Sequence, residues 1–235
     1  MELAEVMSLL QSMGDERTKN TLMKHGAKEP IFGVKVADLK KVLKKTKKNH
    51  ELSLALYSTG NSDAMYLAGL MADESQISKE KLQEWVQQAY WHYLSEYAVP
   101  WVAAETPYGF ELGMEWIRSD DERIAAAGWQ TLSSIAGLRP DEQLDIATYS
   151  GLLDEIGEII HLSPNRVRYT MNAFVIAVGS YIVELHMKAI EIGGKIGKVA
   201  VDMGGTACKV PLAPVYIDKV VKRGSLGKKR KTARC

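Results

Sequence analysis

The sequence predicts an all-α protein whose helices stack as antiparallel pairs. Apolar residues recur at three- and four-residue spacing in successive segments, which is the period of an amphipathic helix. Turn residues interrupt this pattern about every 15 to 25 residues, so the helices are short. The β-leaning stretch at 198–201 lies among glycines and does not indicate a sheet. Short helices cannot bury their apolar stripes alone, so they must form a globular bundle or an α-solenoid.

Five segments carry the helical pattern in chain order. Their apolar residues are Leu3, Val6, Leu9 and Leu10; Val36, Leu39, Val42 and Leu43; Leu82, Trp85, Val86 and Ala89; Ile124, Ala127, Gly128, Leu132 and Ile135; and Val167, Met171, Phe174, Val175 and Val178. Helix starts are predicted at Ser62-Asp63, Ser78, Ser119–Glu122 and Ser163-Pro164, because side-chain oxygens and proline suit a first helical turn.

The segment 119–135 favours the solenoid. It has acidic residues at the helix entrance, then small Ala and Gly where neighbouring backbones would meet, then bulky Trp, Leu and Ile. This order is typical of HEAT-like repeats, whose helix pairs recur at a period of roughly 35 to 45 residues. We therefore predict a HEAT-like domain over residues 1–192. Residues 193–235 are rich in Gly and Lys and are predicted to be a basic extension packed on that domain, with a mobile end.

The composition is that of a globular protein. The 235 residues are 46% hydrophobic and 25% charged, which excludes disordered, collagen-like and disulfide-scaffold classes. We expect no membrane contact, because no apolar run reaches the roughly 18 residues of a spanning helix. The acidic N-terminus is unlike a secretory signal. Two cysteines, Cys208 and Cys235, suit a reducing compartment, so we expect a cytoplasmic protein.

Positive charge is concentrated in two blocks. Residues 35–48 hold seven Lys and one Asp, and residues 195–235 hold eleven Lys and Arg and two Asp. The net charge of the whole chain is only +1, so the remainder is acidic. Two interpretations are open: the blocks create a local positive field, or they are only a solvated helix face and a basic tail.

Standard catalytic signatures are absent from the sequence. It has no P-loop, dinucleotide-binding glycine motif, HExxH or GxSxG. His92 and Glu96 lack the further ligands that a metal requires. We therefore predict no metal, no nucleotide cofactor and no other cofactor.

Aromatic residues are concentrated in residues 85–105, and Trp91 and Trp101 lie there with His92 and Glu96. Glu96 is four residues after His92, so the two share a helix face. Aromatic rings beside a carboxylate suit a flat cationic group, such as an alkylated purine. The alternative is that these rings belong to the hydrophobic core.

Three groups of cations are candidates for binding DNA phosphates. Arg166 and Arg168 follow Ser163-Pro164 at a helix entrance, where amides and guanidinium groups can hold a phosphate. The affinity that such lysine–phosphate contacts provide depends on the salt concentration and does not depend on the DNA sequence. The complete set is Lys40, Lys44, Lys48, Arg166, Arg168, Lys228, Lys229, Arg230 and Lys231.

The chain resembles the DNA alkylation repair family, the AlkD-like proteins built from HEAT-like repeats. The resemblance covers most of residues 1–190. It rests on the Phe32–Lys35 turn before a basic helix, the aromatic helix ending in Val99-Pro100, the Trp116–Asp121 junction and the Ser163-Pro164 helix. The segment Thr206–Pro211 resembles an extension found in a subgroup.

The resemblance implies a positively charged DNA groove and hydrolysis of the N-glycosidic bond of N3- or N7-alkylated purines. Active members use two Trp, an Asp and an Arg around the lesion. By the same resemblance, Glu96 stands at the position of the Asp, and Ala126 stands at the position of the Arg. His92, next to Trp91, stands at the position of the first Trp, and Phe174 stands at the position of the second. Trp91, His92, Trp101 and Phe174 are thus the candidate lesion-facing residues, and Glu96 is the candidate catalytic carboxylate.

Three functions remain open from the sequence. The first is an alkylpurine DNA glycosylase that uses Glu96. The second is a non-catalytic relative that binds duplex, damaged or branched DNA. The third is a protein-binding scaffold, since helical-repeat grooves hold peptides.

Overall fold

The computed structural model describes residues 1–204 and 209–234. Within these residues the chain forms thirteen α-helices and no strand, which confirms the all-α prediction. The helices are α1 Leu3–Ser12, α2 Glu16–Lys24, α3 Val36–Thr46, α4 His50–Ser58, α5 Ser62–Met71, α6 Lys79–Gln88, α7 Val99–Glu105, α8 Gly109–Trp116, α9 Glu122–Leu138, α10 Ile146–Ile159, α11 Asn165–Tyr181, α12 His186–Ile196 and α13 Ala213–Lys222. Cys208, Cys235 and the Thr206-Ala207 part of the predicted extension motif lie outside the described residues.

The helices stack as pairs in two rows. The inner row is α5, α7, α9 and α11, and the outer row is α4, α6, α8, α10 and α12. Helix α9 packs against α7, α8 and α11, and α5 packs against α4. A π-helical turn, Leu94–Ala98, runs directly into α7. This is the stacked-pair architecture that the helix rhythm predicts.

The core consists of two clusters that meet at α9. One extends from Val6 to Ile135 and includes Ala233 of the tail, and the other extends from Ile117 to Ile217. Because α9 packs on both sides, its residues must be small where backbones approach. A Cβ on Gly128 would lie 2.5 Å from the backbone nitrogen of Ile117, so only glycine fits there. The prediction that neighbouring backbones meet at the Ala and Gly of 119–135 is confirmed.

The predicted helix starts lie within one or two residues of the observed ones. Side-chain oxygens of Asn61, Ser78 and Asp121 accept backbone N–H groups at the first turns of α5, α6 and α9. Such caps satisfy amides that have no partner inside the helix.

The C-terminal extension contains α13, which packs on α11 and α12. Helix α12 continues to Ile196, past the predicted boundary at residue 192. The last described residues contact the helical body, since the Arg230 N–H donates to Gly137 O at 2.7 Å. The mobility predicted for the end of the chain stays a prediction. No described helix combines the length and apolarity needed to cross a membrane.

Candidate nucleic-acid interface

The predicted lesion-facing aromatic residues lie mostly in the core. Phe174 is fully buried and stacks on Tyr149 with ring centres 5.6 Å apart, so in this conformation its ring presents no face to a lesion. Trp91 and Trp101 are each 5% exposed. Buried aromatics supply a large part of a core's stability, and periodicity alone does not distinguish them from exposed ones.

Trp91 and Trp101 are held by specific contacts. The Trp91 indole N–H donates to Ser62 Oγ at 2.9 Å, and its ring stacks on Tyr93 at 4.5 Å. Trp101 lies edge-on to Tyr66 at 5.6 Å. In this structure neither ring presents a free face on which a lesion could stack.

Glu96 is buried in an ion pair. It lies on the π-helical turn before α7 and is 1% exposed. Arg166, at the start of α11, donates from Nε to Glu96 Oε1 at 2.7 Å and from Nη2 to Glu96 Oε2 at 2.6 Å. This fork-to-fork geometry uses both carboxylate oxygens. The pair joins two helices that are 70 residues apart in the chain.

Further contacts fix Arg166 in place. Its backbone N–H donates to the carboxylate of Glu122, the first residue of α9. Its guanidinium carbon lies 4.5 Å from the centre of the Tyr169 ring, and Nη1 lies 3.7 Å from Met203 Sδ. Arg166 was predicted to bind phosphate. In the structure its charge is compensated internally, and its side chain is only 19% exposed.

Burial dominates the protonation of this cluster. It raises the pKa of Glu96, while the hydrogen bonds and charge of Arg166 lower it. Burial, with the nearby charges of Arg166 and His25, lowers the pKa of His92 to about 3. His92 is therefore neutral at physiological pH. Its ring lies edge-on to that of His25 at 5.9 Å.

The extension partly covers this cluster. A pocket of about 260 Å³ is lined by Lys24, His25, His92, Arg166 and residues 202–204. Asn165 holds that segment through two hydrogen bonds, from its Nδ2 to Asp202 O at 2.9 Å and from the Asp202 N–H to its Oδ1 at 2.7 Å. The pocket has cationic walls, but it does not expose the Glu96 carboxylate.

The predicted phosphate ligands on α3 and just after its end differ in their partners. Lys48 pairs with Glu74 at 2.7 Å. Within the described part of the chain, no carboxylate pairs with Lys40 or Lys44, and Lys44 is exposed. Lys40 and Lys44 are therefore the predicted phosphate ligands of this helix that keep an uncompensated charge.

Arg168 lies beside other cations of the extension. It lines a pocket of about 770 Å³ together with Lys198 and Lys209. Its Nε is buried and has no hydrogen-bond partner among the described residues. Arg168 thus differs from Arg166, whose guanidinium is fully engaged.

The four cations of the tail also divide into two groups. Lys229 Nζ donates to Ala136 O at 2.9 Å and to Tyr181 O at 2.8 Å. Lys228, Arg230 and Lys231 are exposed. In this conformation the ammonium group of Lys229, a predicted phosphate ligand, is bonded inside the protein.

A residue whose part in positioning α3 the sequence did not reveal is Asp63. Its carboxylate accepts the backbone N–H groups of Phe32, Gly33 and Val34 at 2.7, 3.0 and 2.9 Å. Gly33 has φ +79, and a Cβ there would lie 2.5 Å from the Lys19 backbone nitrogen, so this loop requires glycine. Asp63 thereby fixes the turn that leads into α3 and its lysines. The only signal in the sequence was its place at a helix start.

The chain is similar to known proteins over most of its length. A family model described as DNA alkylation repair enzyme matches residues 6–200. The chain belongs to this family. Two relatives named as uncharacterized proteins are similar over 220 residues, Lmo0209 of Listeria monocytogenes at 33% identity and Lin0241 of Listeria innocua at 32%. Each alignment covers 91% of this chain and 95% of the relative.

A solved structure is similar over 100% of both chains, with 38% sequence identity and a TM-score of 0.91. The protein in that structure is described as one of a new family of proteins related to the HEAT-like repeat DNA glycosylases, with affinity for branched DNA structures. The HEAT-like fold predicted from the helix rhythm is thereby confirmed.

An arginine lies beside Glu96, but it belongs to a helix other than the one the resemblance implies. The resemblance placed it at Ala126, which is fully buried in α9. Arg123, one turn earlier, pairs with Asp121. The guanidinium that reaches Glu96 belongs instead to Arg166 of α11.

Proposed function

We propose that this protein binds DNA through the sugar–phosphate backbone, with a preference for branched DNA, and does not hydrolyse the glycosidic bond. The observation that carries the proposal is the bidentate Glu96–Arg166 pair. A glycosylase carboxylate must face the sugar, where it stabilises positive charge or positions water. Glu96 is 1% exposed and both of its oxygens accept hydrogen bonds from Arg166, so the carboxylate does not face the solvent from which a sugar would approach.

The aromatic residues support the same conclusion. A cationic purine would need a ring face within about 6 Å of its charge. Trp91 is stacked on Tyr93, and Phe174 lies between Tyr149 and Trp129. Opening any of these contacts would expose core residues, which costs free energy.

The uncompensated cations support DNA binding. Lys40 and Lys44 on α3 present positive charge next to the inner row, since α3 packs on α5. Each lysine that reaches a phosphate releases condensed counterions, so affinity should fall steeply with salt. The preference for branched DNA is supported by the similar solved structure, a protein with affinity for branched DNA structures.

A single preparation tests both halves of the proposal. We expect tighter binding to a four-way junction than to a linear duplex of equal length, with a strong salt dependence. At a large excess of protein over methylated DNA, we expect no release of 7-methylguanine or 3-methyladenine. Release above the level without protein would instead assign a glycosylase, and junction affinity that is flat with salt would favour a protein-binding scaffold.

Substitutions on α3 sharpen the binding test. Lys40→Gln with Lys44→Gln should lower the salt slope of junction binding by about 2, because two phosphate contacts are lost. Lys41→Gln with Lys45→Gln removes the same charge from the same helix on another face and should have a smaller effect. Equal effects of the two pairs would mean that only the net charge matters.

A further inference from the structure

The tail follows the C-terminal ends of the inner helices. Lys229 bonds the last residue of α11, Tyr181, and the Arg230 N–H bonds Gly137 near the end of α9. Arg234 then pairs with Glu105, the last residue of α7, at 3.3 Å, and with Glu74, which follows α5, at 3.1 Å. Residues 229–234 therefore cross four successive repeats along one edge of the solenoid.

This edge would repel DNA without the tail. Carbonyl groups at helix C-termini carry the negative end of the helix dipole, equivalent to roughly half an elementary charge per helix. Lys229 supplies its ammonium to carbonyls of both α9 and α11, and it lies 2.7 Å from Asp141 Oδ1. The tail thus neutralises the negative groups of this edge.

The tail also forms one wall of a groove of about 540 Å³. Five cations and two carboxylates line it, Lys48, Arg139, Arg230, Lys231 and Arg234 with Glu74 and Glu105. Both carboxylates are occupied: Glu74 accepts from Lys48 and Arg234, and Glu105 accepts from Thr232 and the Ala233 N–H. Among the described residues, no carboxylate pairs with Arg139, Arg230 or Lys231.

We infer that this groove is a second binding site for the DNA backbone, and that it holds a second arm of a branched DNA. The ligands for the phosphodiester groups are Arg139, Arg230 and Lys231. The inference rests on the proposed function and deepens it. Helix α3, which carries Lys40 and Lys44, packs on α5, and the groove reaches the end of α9, two inner helices further along the row. Packed helices are about 10 Å apart, so roughly 20 Å separates α5 from α9. One arm of a junction can therefore contact the α3 lysines while a second, diverging arm enters the groove.

Binding assays with the full-length chain test this site. Arg230→Gln with Lys231→Gln removes two cations that pair with no carboxylate among the described residues. The Arg230 guanidinium carbon lies 5.7 Å from the centre of the Tyr181 ring, which is a weak contact, so the melting temperature should fall only slightly. We expect this pair to weaken binding to a four-way junction about tenfold or more at roughly 0.1 M salt and to reduce the salt slope by about 2. Binding to a linear duplex of equal length should stay the same.

The matched control is Lys222→Gln with Arg223→Gln. These exposed residues at the end of α13 carry the same charge and do not line the groove. The control should leave junction binding unchanged. Junction binding that is unaffected by Arg230→Gln with Lys231→Gln, or a loss shared equally by junction and duplex, would overturn the second site while leaving the proposed function intact. Wild-type protein that binds neither DNA would overturn both.

Discussion

The two ends of the inner helices use their arginines and lysines in opposite ways. At the N-terminal end, the Arg166 guanidinium is paired with Glu96 through both carboxylate oxygens, and its side chain is mostly buried. At the C-terminal end, Lys229 is committed to helix carbonyls, but its neighbours Arg230 and Lys231 stay exposed. A cation in a basic block is therefore structural or available for a ligand according to its local partners, and the difference can lie between adjacent residues.

Breaking the pair at the N-terminal end should have the largest effect. Glu96→Leu leaves the Arg166 guanidinium buried without its partner, which should lower the free energy of unfolding by about 3 kcal/mol or more. Urea denaturation measures this loss. The double variant Glu96→Leu with Arg166→Met removes both charges and should recover much of it. A single variant as stable as the wild type would mean that the pair does not form in solution.

Removing the ammonium group at the C-terminal end should have the next largest effect. Lys229→Met loses two hydrogen bonds to carbonyls and should lower the free energy of unfolding by about 2 kcal/mol. Lys228→Met, one residue earlier and exposed, should change it by less than about 0.5 kcal/mol. Equal effects of the two substitutions would show that the tail is not docked along the helix ends.

The neutral His92 next to Arg166 should make the N-terminal end sensitive to acid. Its pKa is lowered to about 3 in the folded protein, against an ordinary value of about 6.5 in the unfolded chain. The unfolded state therefore binds more protons below about pH 6.5, and this contribution to stability is complete above that pH and declines as the pH falls.

The corresponding slope is about 1.4 kcal/mol per pH unit between about pH 6 and pH 4. Unfolding measured against pH for the wild type and for His92→Gln isolates this contribution, because the carboxylates titrate in both proteins. If the two proteins gave parallel curves of unfolding free energy against pH, the lowered pKa of His92 would be contradicted.

The smallest effect should come from an exposed ion pair near the groove. Lys48 pairs with Glu74, and the lysine side chain is 47% exposed. Exposed pairs contribute little, so Lys48→Gln should lower the free energy of unfolding by at most about 0.5 kcal/mol. A loss above about 1 kcal/mol would mean that Lys48 also stabilises the docked tail through Glu74. Thermal melting of the variant measures this.

Much of the fold could be predicted from the sequence, and little of the site. Helical spacing identifies α9 and α11, and the small residues around Gly128 mark where backbones meet, because these are local properties. The Glu96–Arg166 pair joins residues 70 apart, so no local pattern reveals it. Trp91 and Phe174 follow the same helical spacing as exposed aromatics would, and only the stacking of neighbouring helices buries them. Likewise, Lys228 and Lys229 are the same residue type in the same basic block, and only the docked tail places the Lys229 ammonium group against backbone carbonyls.

Lysine labelling with an acylating reagent, read by mass spectrometry with and without a four-way junction, tests the division of the cations most directly. In free protein Lys228 and Lys231 should react quickly, and Lys229 slowly because its ammonium group is bonded to Ala136 and Tyr181. Adding the junction should protect Lys44 and Lys231 and leave the already slow Lys229 unchanged. Fast labelling of Lys229 in the free protein, or no protection of Lys44 and Lys231 by the bound junction, would contradict this division of the cations.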